Sequence, residues 1–234
     1  MSDNHAVSFF DNQFQKQVSA QSFALNPFEA AALPHLTGSV LDLGCGLGNL
    51  AIEAARRGAS VVAVDASPTA VAHIQRVAEQ EKLALQGVRA DLSHYRIGDR
   101  YDTIAAIGLL MFFDRGRALE LLEGIQRHVK PGGCAVINVL IEGTTYLGMF
   151  QPDHYTLLGR EELAQRFAGW KVLEMTCQTF PAPDNTEKVF ATIVARRLDP
   201  VTALYLSAAS DRFLICRSCI LPSKACAAMA PINA

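Results

Sequence analysis

The chain has little excess charge of either sign. Its 234 residues include 21 Lys and Arg against 23 Asp and Glu, which gives a formal net charge of −2. A chain this close to neutral offers no broad basic surface for DNA or RNA and no polybasic patch for a membrane surface. We therefore expect neither a nucleic-acid partner nor a membrane partner.

A long apolar run and a leader-like start are also missing. The longest apolar stretch, Ile104 to Phe113, is about half as long as a membrane-spanning helix requires. The N-terminal residues show no basic segment followed by an apolar one. Half of the residues are hydrophobic and 19% are charged, which favours a large buried core. We expect a cytoplasmic protein with reduced thiols.

Cysteines are too few for a disulfide scaffold, and they are unevenly distributed. Three of the six, Cys216, Cys219 and Cys226, lie within residues 216–234. Three thiolates can bind a soft ion, so metal or metalloid binding by this tail is one hypothesis, although no fourth ligand lies near them in the sequence. We predict no other metal site. The remaining three are expected to be packing residues of the core, namely Cys45, Cys134 and Cys177.

Strand-like and helix-like segments alternate along the chain. Ser39–Leu43 and Ser60–Val64 are short apolar runs typical of strands buried on both faces. Ser67 followed by Pro68 is typical of the start of a helix. Two further strands are predicted on either side of Pro181–Asn185. The pattern predicts an α/β fold with a doubly wound, seven-stranded, mostly parallel, Rossmann-like sheet and an antiparallel C-terminal hairpin.

This interpretation divides the chain into three regions. Residues 37–197 are expected to form the sheet domain, and residues 198–234 an extension of unknown role. Residues 1–36 are predicted to form a helical lid over the carboxyl edge of the sheet. Three phenylalanines of this lid could close over a bound ligand or only anchor its first helix, namely Phe9, Phe10 and Phe14.

A glycine-rich loop after the first strand carries the strongest functional signal. It reads Asp42-x-Gly44-x-Gly46-x-Gly48. Glycines allow a ligand to lie directly against the backbone, and the following helix presents free N–H groups. The carboxylate of Asp65, at the end of the second strand, can accept hydrogen bonds from both hydroxyl groups of a ribose. Together these features predict a site for an adenosine-containing ligand.

The spacing of the glycines discriminates among such ligands. A dinucleotide fingerprint reads Gly-x-Gly-x-x-Gly, and this loop has no glycine at the third of those positions. A Gly-Lys-Ser/Thr triplet is absent as well, which disfavours a nucleoside triphosphatase. A nicotinamide-dependent oxidoreductase stays as the less favoured alternative, because no constellation for hydride transfer stands out.

The loop resembles motif I of the class I S-adenosylmethionine-dependent methyltransferases, and further landmarks follow in order. They are Asp65, Asp91 after the third strand, Tyr101–Thr103 before the fourth and Lys130–Gly133 before the fifth. The resemblance implies S-adenosylmethionine as cofactor. It also implies that Asp65 binds the ribose of this cofactor and that Asp91 contacts its adenine. The cofactor-binding residues that it implies are Asp42, Gly44, Cys45, Gly46, Gly48, Asn49, Asp65, Ala66, Asp91, Leu92 and Ile107.

The acceptor of the methyl group decides whether a base is needed. Methyl transfer from a sulfonium is an in-line displacement in which a thiolate or a chalcogen oxyanion needs no base, whereas oxygen and nitrogen acceptors usually do. His154, in the irregular stretch after the fifth strand, is the candidate base. No Asn/Asp-Pro-Pro-Tyr/Phe motif follows the fourth strand, which disfavours methylation of DNA bases. Candidate substrate-pocket residues are Phe112, Tyr146, Tyr155 and Lys188.

Three segments are similar to methyltransferases of the tellurite-resistance type, namely Gly108–Phe113, Gly159–Trp170 and Phe190–Arg197. This resemblance implies a small-molecule acceptor, either a thiol or an oxyanion such as tellurite or selenite. The sequence departs from that type before the last strand, where Pro181–Lys188 has no histidine or arginine. An oxygen or nitrogen atom of a small metabolite is the alternative acceptor. The protein is expected to be a monomer or a homodimer.

Overall fold

A seven-stranded sheet forms the centre of the computed structural model, which describes residues 5–199. Its strands are β1 (Ser39–Leu43), β2 (Ser60–Asp65), β3 (Leu85–Arg89), β4 (Tyr101–Ile107), β5 (Val129–Leu140), β6 (Lys171–Ala182) and β7 (Thr186–Arg196). Their order across the sheet is β3-β2-β1-β4-β5-β7-β6, and β7 runs antiparallel to both of its neighbours. The predicted fold class is confirmed.

Six α-helices and two short 3₁₀ turns connect or precede these strands in the described part of the chain. They are α1 (His5–Ser19), α2 (Pro27–Ala32), a 3₁₀ turn (Leu33–His35), α3 (Asn49–Arg56), α4 (Pro68–Glu81), a 3₁₀ turn (Leu110–Phe112), α5 (Arg115–His128) and α6 (Glu162–Arg166). Helix α4 begins where the sequence predicts, because the Ser67 side chain accepts a hydrogen bond from the Ala70 N–H at 3.0 Å.

The central strands are apolar along their whole length because helices cover both faces of the sheet. In β1, Leu41 belongs to a buried cluster that includes Leu122 of α5. Its neighbour Val40 belongs to a second cluster that includes Leu50 of α3. Alternate residues of one strand therefore bury themselves in two separate cores, as a doubly wound sheet requires.

The winding of the sheet reverses between β1 and β4. These two strands are parallel neighbours, with Leu41 opposite Ile104, while β2 lies on the other side of β1. The connections that leave the carboxyl ends of β1 and β4 therefore diverge and open a crevice between them. The crevice lies next to the glycine loop that follows β1.

The expectation that Lys130–Gly133 precede the fifth strand is wrong. These residues lie inside β5, which begins at Val129. The backbone bulges there, because Val129 is paired with Tyr101 and the next pairing with β4 begins only at Cys134. Hydrogen bonds to Arg197 hold the bulge against the end of the last strand: the Gly132 N–H donates to the Arg197 carbonyl, and the Arg197 N–H to that of Gly133.

The C-terminal hairpin is longer than predicted, and one cysteine prediction is wrong. Strands β6 and β7 continue through the proposed connection, so that Pro181 is paired with Glu187. Proline is tolerated here because β6 is an edge strand. Cys177 is exposed on the same edge strand rather than buried, whereas Cys45 and Cys134 are buried as expected.

Among residues 5–199, no helix is long and apolar enough to cross a membrane. Within the same range, no group of three or more His, Cys, Asp or Glu side chains could hold a metal ion. The cysteines at 216, 219 and 226 lie outside the described residues, so metal binding by the tail stays a hypothesis.

Asp102 ties the start of β1 to the start of β4. Its Oδ2 accepts hydrogen bonds from the Ser39 hydroxyl at 2.6 Å, the Ser39 N–H at 2.8 Å and the Lys130 ammonium at 3.0 Å. These contacts with Ser39, and secondarily with Lys130, lower the pKa of Asp102 to about 2. The unfolded value is about 3.9, so the ionised carboxylate stabilises the folded state above that pH and ceases to do so as the pH falls toward 2.

We expect Asp102→Ala to lower the free energy of unfolding by about 1 kcal/mol at pH 7. The value is modest because the side chain is 42% exposed and solvent screens its ion pair. Urea denaturation at pH 7 and at pH 2.5 measures the effect, and the difference between wild type and variant should shrink at the lower pH. Lys130→Ala keeps both contacts between Asp102 and Ser39, so it should lower the free energy of unfolding by less than Asp102→Ala does. If the free energies of unfolding of wild type and Asp102→Ala differ by the same amount at both pH values, the ionised Asp102 is not the stabilising group.

Candidate functional site

A cavity of about 770 Å³ lies at the carboxyl edge of the sheet. The glycine loop after β1, Asp65 at the end of β2 and Ile107 at the end of β4 all line it. Helix α1 contributes Phe10 and Phe14 from the opposite side. The volume is that of a small-molecule site, and its place is where parallel α/β sheets bind their ligands.

Two positions of the loop can be occupied only by glycine. Gly44 has φ +67°, and a Cβ there would lie 2.6 Å from Leu109 Cδ1. Gly48 has φ +73°, and a Cβ there would lie 2.6 Å from Ile74 Cγ1. Both backbone conformations are ones that L side chains rarely adopt. The loop therefore keeps its shape through close packing against Leu109, in the segment that follows β4, and against α4, as well as through its own turns.

Asp65 connects the glycine loop to the turn after β2. Its Oδ2 accepts a hydrogen bond from the Gly46 N–H at 2.9 Å, and its Oδ1 accepts one from the Ser67 N–H at 2.9 Å. Burial raises the pKa of Asp65 in spite of these two bonds. A carboxylate has about four lone-pair positions, so two are left for hydroxyl groups of a ligand in the cavity.

Two further acids accompany Asp65. Asp42, at the end of β1, is 3% exposed, and burial together with Glu29 and Asp65 raises its pKa to about 8. Glu29, on α2, lines the cavity, and burial raises its pKa as well. Glu29 Oε2 accepts the Asn26 N–H at 2.8 Å. Ionisation of one of these three acids disfavours ionisation of the others, and a positively charged ligand would relieve that repulsion.

The Cys45 thiol lies in the middle of this acidic region. Burial first, and then the nearby Asp42 and Asp65, hold the pKa of Cys45 well above its ordinary value. A thiol in such surroundings stays protonated and is a poor nucleophile. Cys45 is 8% exposed and belongs to the buried cluster that includes Leu50 of α3, so its contribution is packing.

Most of the residues predicted to bind a cofactor lie together at the cavity. Nine of them line it, namely Gly44, Cys45, Gly46, Asn49, Asp65, Ala66, Asp91, Leu92 and Ile107. The other two, Asp42 and Gly48, are not among the lining residues. Asp42 is buried in the sheet, and Gly48 is the residue that precedes the first turn of α3.

The predicted substrate residues divide into two groups. Phe112, Tyr146 and Lys188 line the cavity, and the Lys188 ammonium lies 4.7 Å from the centre of the Tyr146 ring. Tyr155 does not line it. The Tyr155 ring stacks instead on Phe150 at 4.8 Å, and Phe150 in turn lies 5.3 Å from Phe112 of the cavity wall.

His154 lies away from the site. Its backbone N–H donates to the Gln151 carbonyl in a turn, its side chain is exposed, and it is not among the residues that line the cavity. The turn forms because Thr156, two residues later, donates its N–H to the Met111 carbonyl and anchors the chain there. We therefore assign His154 no part in catalysis.

The walls of the cavity are aromatic. Phe10 meets Phe112 edge to face at 5.2 Å, and Phe28 lies 4.7 Å from Phe190. Ring pairs of this kind give rigid apolar surfaces. Eight of the 11 phenylalanines in residues 5–199 line the cavity, namely Phe9, Phe10, Phe14, Phe28, Phe112, Phe113, Phe180 and Phe190.

Several lining residues were missed by the sequence interpretation. Phe28 and Glu29 carried no usable signal, because nothing local indicates where α2 rests. Asn138 did carry a usable signal, since it is the single polar residue in the apolar run Cys134–Ile141. Phe180 also carried one, because it falls at the end of a strand beside the predicted hairpin connection.

Comparison with known proteins agrees with this geometry. Residues 40–133 match the family described as "Methyltransferase domain". Hemagglutinin 1 of Eikenella corrodens is 34% identical over 134 residues, which are 57% of this chain and 44% of that protein. The probable S-adenosyl-L-methionine-dependent methyltransferase TehB of Haemophilus influenzae (strain 10810) is 27% identical over 164 residues, 68% of this chain and 57% of that protein. The chain thus spans about half the length of these curated relatives.

A solved structure shows the same fold. The crystal structure of TehB from Haemophilus influenzae matches with a TM-score of 0.65 and 22% sequence identity. The match covers 77% of this chain and 65% of that one. It extends well beyond residues 40–133 and therefore includes parts of the fold outside the matched family domain.

Proposed function

We propose that the chain transfers the methyl group of S-adenosylmethionine to a small-molecule acceptor, because residues 40–133 match the family described as "Methyltransferase domain". The observation that carries the proposal is Asp65, whose carboxylate holds the Gly46 N–H and lines an aromatic-walled cavity. The cytoplasmic location and the monomeric or dimeric state stay predictions from the sequence.

The charges around the loop fit this cofactor better than a dinucleotide. S-adenosylmethionine carries a sulfonium and an ammonium, which would relieve the repulsion among Glu29, Asp42 and Asp65 and favour their ionised forms. A pyrophosphate would meet the same acids with repulsion. Lys188 is the only Lys or Arg among the described residues that line the cavity, so little would compensate that repulsion. The glycine loop also leaves the backbone open to close approach.

The chain's own residues bind, orient and exclude water. Asp65 would hold the ribose hydroxyls, and Asp91 the adenine amino group, as the family resemblance implies. The bound cofactor supplies an electrophilic methyl group on its sulfonium. The aromatic walls keep water from the acceptor and hold it in line with that methyl group, which is the protein's main contribution to this reaction.

Glu29 takes the place of His154 as the candidate base. It lines the cavity, and burial raises its pKa, which brings a carboxylate closer to the value that a base needs near neutral pH. Its Oε2 is held by the Asn26 N–H. An oxygen or nitrogen acceptor would use this base. A thiol or an oxyanion such as tellurite or selenite would not need it.

Calorimetric titration tests the proposal. We expect S-adenosylmethionine and S-adenosylhomocysteine to bind with one site per chain, and NAD to give no heat of binding. Transfer of labelled methyl is then measured with small thiols, selenite, tellurite, phenols and amines as acceptors. Binding of NAD without binding of either sulfur nucleoside would refute the proposal.

A further inference from the structure

Asn138 is a buried amide with one hydrogen-bonding atom unused. It lies on β5, lines the cavity and is 1% exposed. Its Nδ2 donates to Thr192 Oγ1 at 2.8 Å, whereas its Oδ1 has no partner. A buried polar atom without a partner costs free energy, so such an atom in a functional cavity indicates a ligand group that it is meant to meet.

The position of Asn138 in the sheet places it on the face that carries the cavity floor. It is paired with Ile107 of β4 on one side and with Thr192 of β7 on the other. Leu140, two residues further along β5, lies opposite Phe190 on the same face. Because Nδ2 is directed at Thr192, Oδ1 is directed away from β7. Ile107 and Leu140 line the cavity as well, so the Asn138 amide is a polar group with apolar side chains on either side of it.

The surroundings of Asn138 select the charge and the shape of its ligand. Phe28 and Phe190, which pack together at 4.7 Å, and Phe180 provide flat apolar walls. A carbonyl oxygen accepts hydrogen bonds and repels oxyanions. Glu29 adds a further acid to the same cavity. These groups disfavour tellurite and selenite and favour an apolar molecule that carries a hydrogen-bond donor.

We propose that Asn138 determines the specificity of the acceptor site, with its Oδ1 accepting a hydrogen bond from an N–H or O–H group of an aromatic acceptor molecule. The inference rests on the proposed function, since it concerns the acceptor half of the same cavity. A site built to accept a hydrogen bond rejects an analogue that lacks the donor, because its own buried atom then stays unpaired. An apolar floor without Asn138 would not discriminate in this way.

Binding of a matched pair of probes to the full chain saturated with S-adenosylhomocysteine tests the inference. Indole and benzofuran have nearly the same shape, but only indole carries a ring N–H. We expect the wild-type chain to bind indole about tenfold more tightly than benzofuran, measured by calorimetry. In Asn138→Leu, which keeps a side chain of similar size, the ratio should fall to about one.

Three controls separate the possible causes of failure. Asn12→Leu, at an exposed position of α1, should keep the wild-type ratio. The affinity for S-adenosylhomocysteine and the thermal midpoint should be similar in all three proteins. If Asn138→Leu does not fold, Asn138→Ala replaces it. A variant ratio equal to that of the wild type, or tellurite displacing indole from the wild type, would overturn the inference. If the wild-type chain does not bind S-adenosylhomocysteine, the proposed function itself is refuted.

Discussion

Asp65→Ala is expected to weaken S-adenosylmethionine binding by about 10–100-fold. The substitution removes the proposed charge-assisted hydrogen bonds to the ribose, a total loss of about 1.5–3 kcal/mol. It also frees the Gly46 N–H and the Ser67 N–H, which Asp65 holds at 2.9 Å each, so the loop loses its link to the turn after β2. Calorimetric titration of wild type and variant measures the change directly.

The stability of Asp65 variants separates ligand contact from loop order. Burial raises the pKa of Asp65, so its ionised form is less favourable in the folded chain than in the unfolded one. Asp65→Asn keeps one of the two acceptor oxygens and loses the charge, so it should weaken cofactor binding while it lowers the free energy of unfolding less than Asp65→Ala does. Asp99→Ala, at an exposed position, is the control. Full retention of affinity in Asp65→Ala would remove Asp65 from the site.

Gly48→Val is expected to lower the free energy of unfolding by about 2–5 kcal/mol. Part of this cost, about 1–2 kcal/mol, comes from placing an L residue at φ +73°. The rest comes from overpacking, because the new Cβ would lie 2.6 Å from Ile74 Cγ1. Overpacking of a buried site costs about 1–3 kcal/mol. Ile74 is fully buried and cannot move aside easily. Urea denaturation measures the loss.

Gly58→Val isolates the two contributions. Gly58 also has a positive φ, +92°, but a Cβ there would meet nothing within 4 Å. Its substitution should therefore cost only the backbone term of about 1–2 kcal/mol. Equal losses in the two variants would show that the contact with Ile74 does not contribute.

The cofactor half of the site was predictable because its signals are local. The loop from Asp42 to Gly48 is one continuous segment, and Asp65 follows at the end of the next strand. In a parallel sheet the carboxyl ends of neighbouring strands meet at one edge, so the order of elements alone brings these residues together. The structure places Gly44, Gly46 and Asp65 around one cavity as this rule predicts.

The acceptor half was not predictable because it depends on contacts between distant segments. Phe28 reaches Phe190 across more than half of the chain, and no periodicity in either segment indicates that contact. His154 was selected for its chemistry in an irregular stretch, and a turn closed by Gln151 leaves its side chain in solvent. Residue type alone does not tell on which side of such a stretch a side chain will lie.

The cavity has a consequence for how relatives of this protein can be compared. The family match ends at residue 133 and begins at residue 40, so it contains the loop, Asp65 and Asp91. Four residues around the acceptor floor and walls lie outside it, namely Phe28, Asn138, Phe180 and Phe190. The matched stretch thus contains the proposed cofactor residues together with Phe112 and Phe113, whereas much of the proposed acceptor wall lies outside it. Substitutions in the outer stretches are expected to change the acceptor while the matched stretch, and the similarity that it produces, stays unchanged.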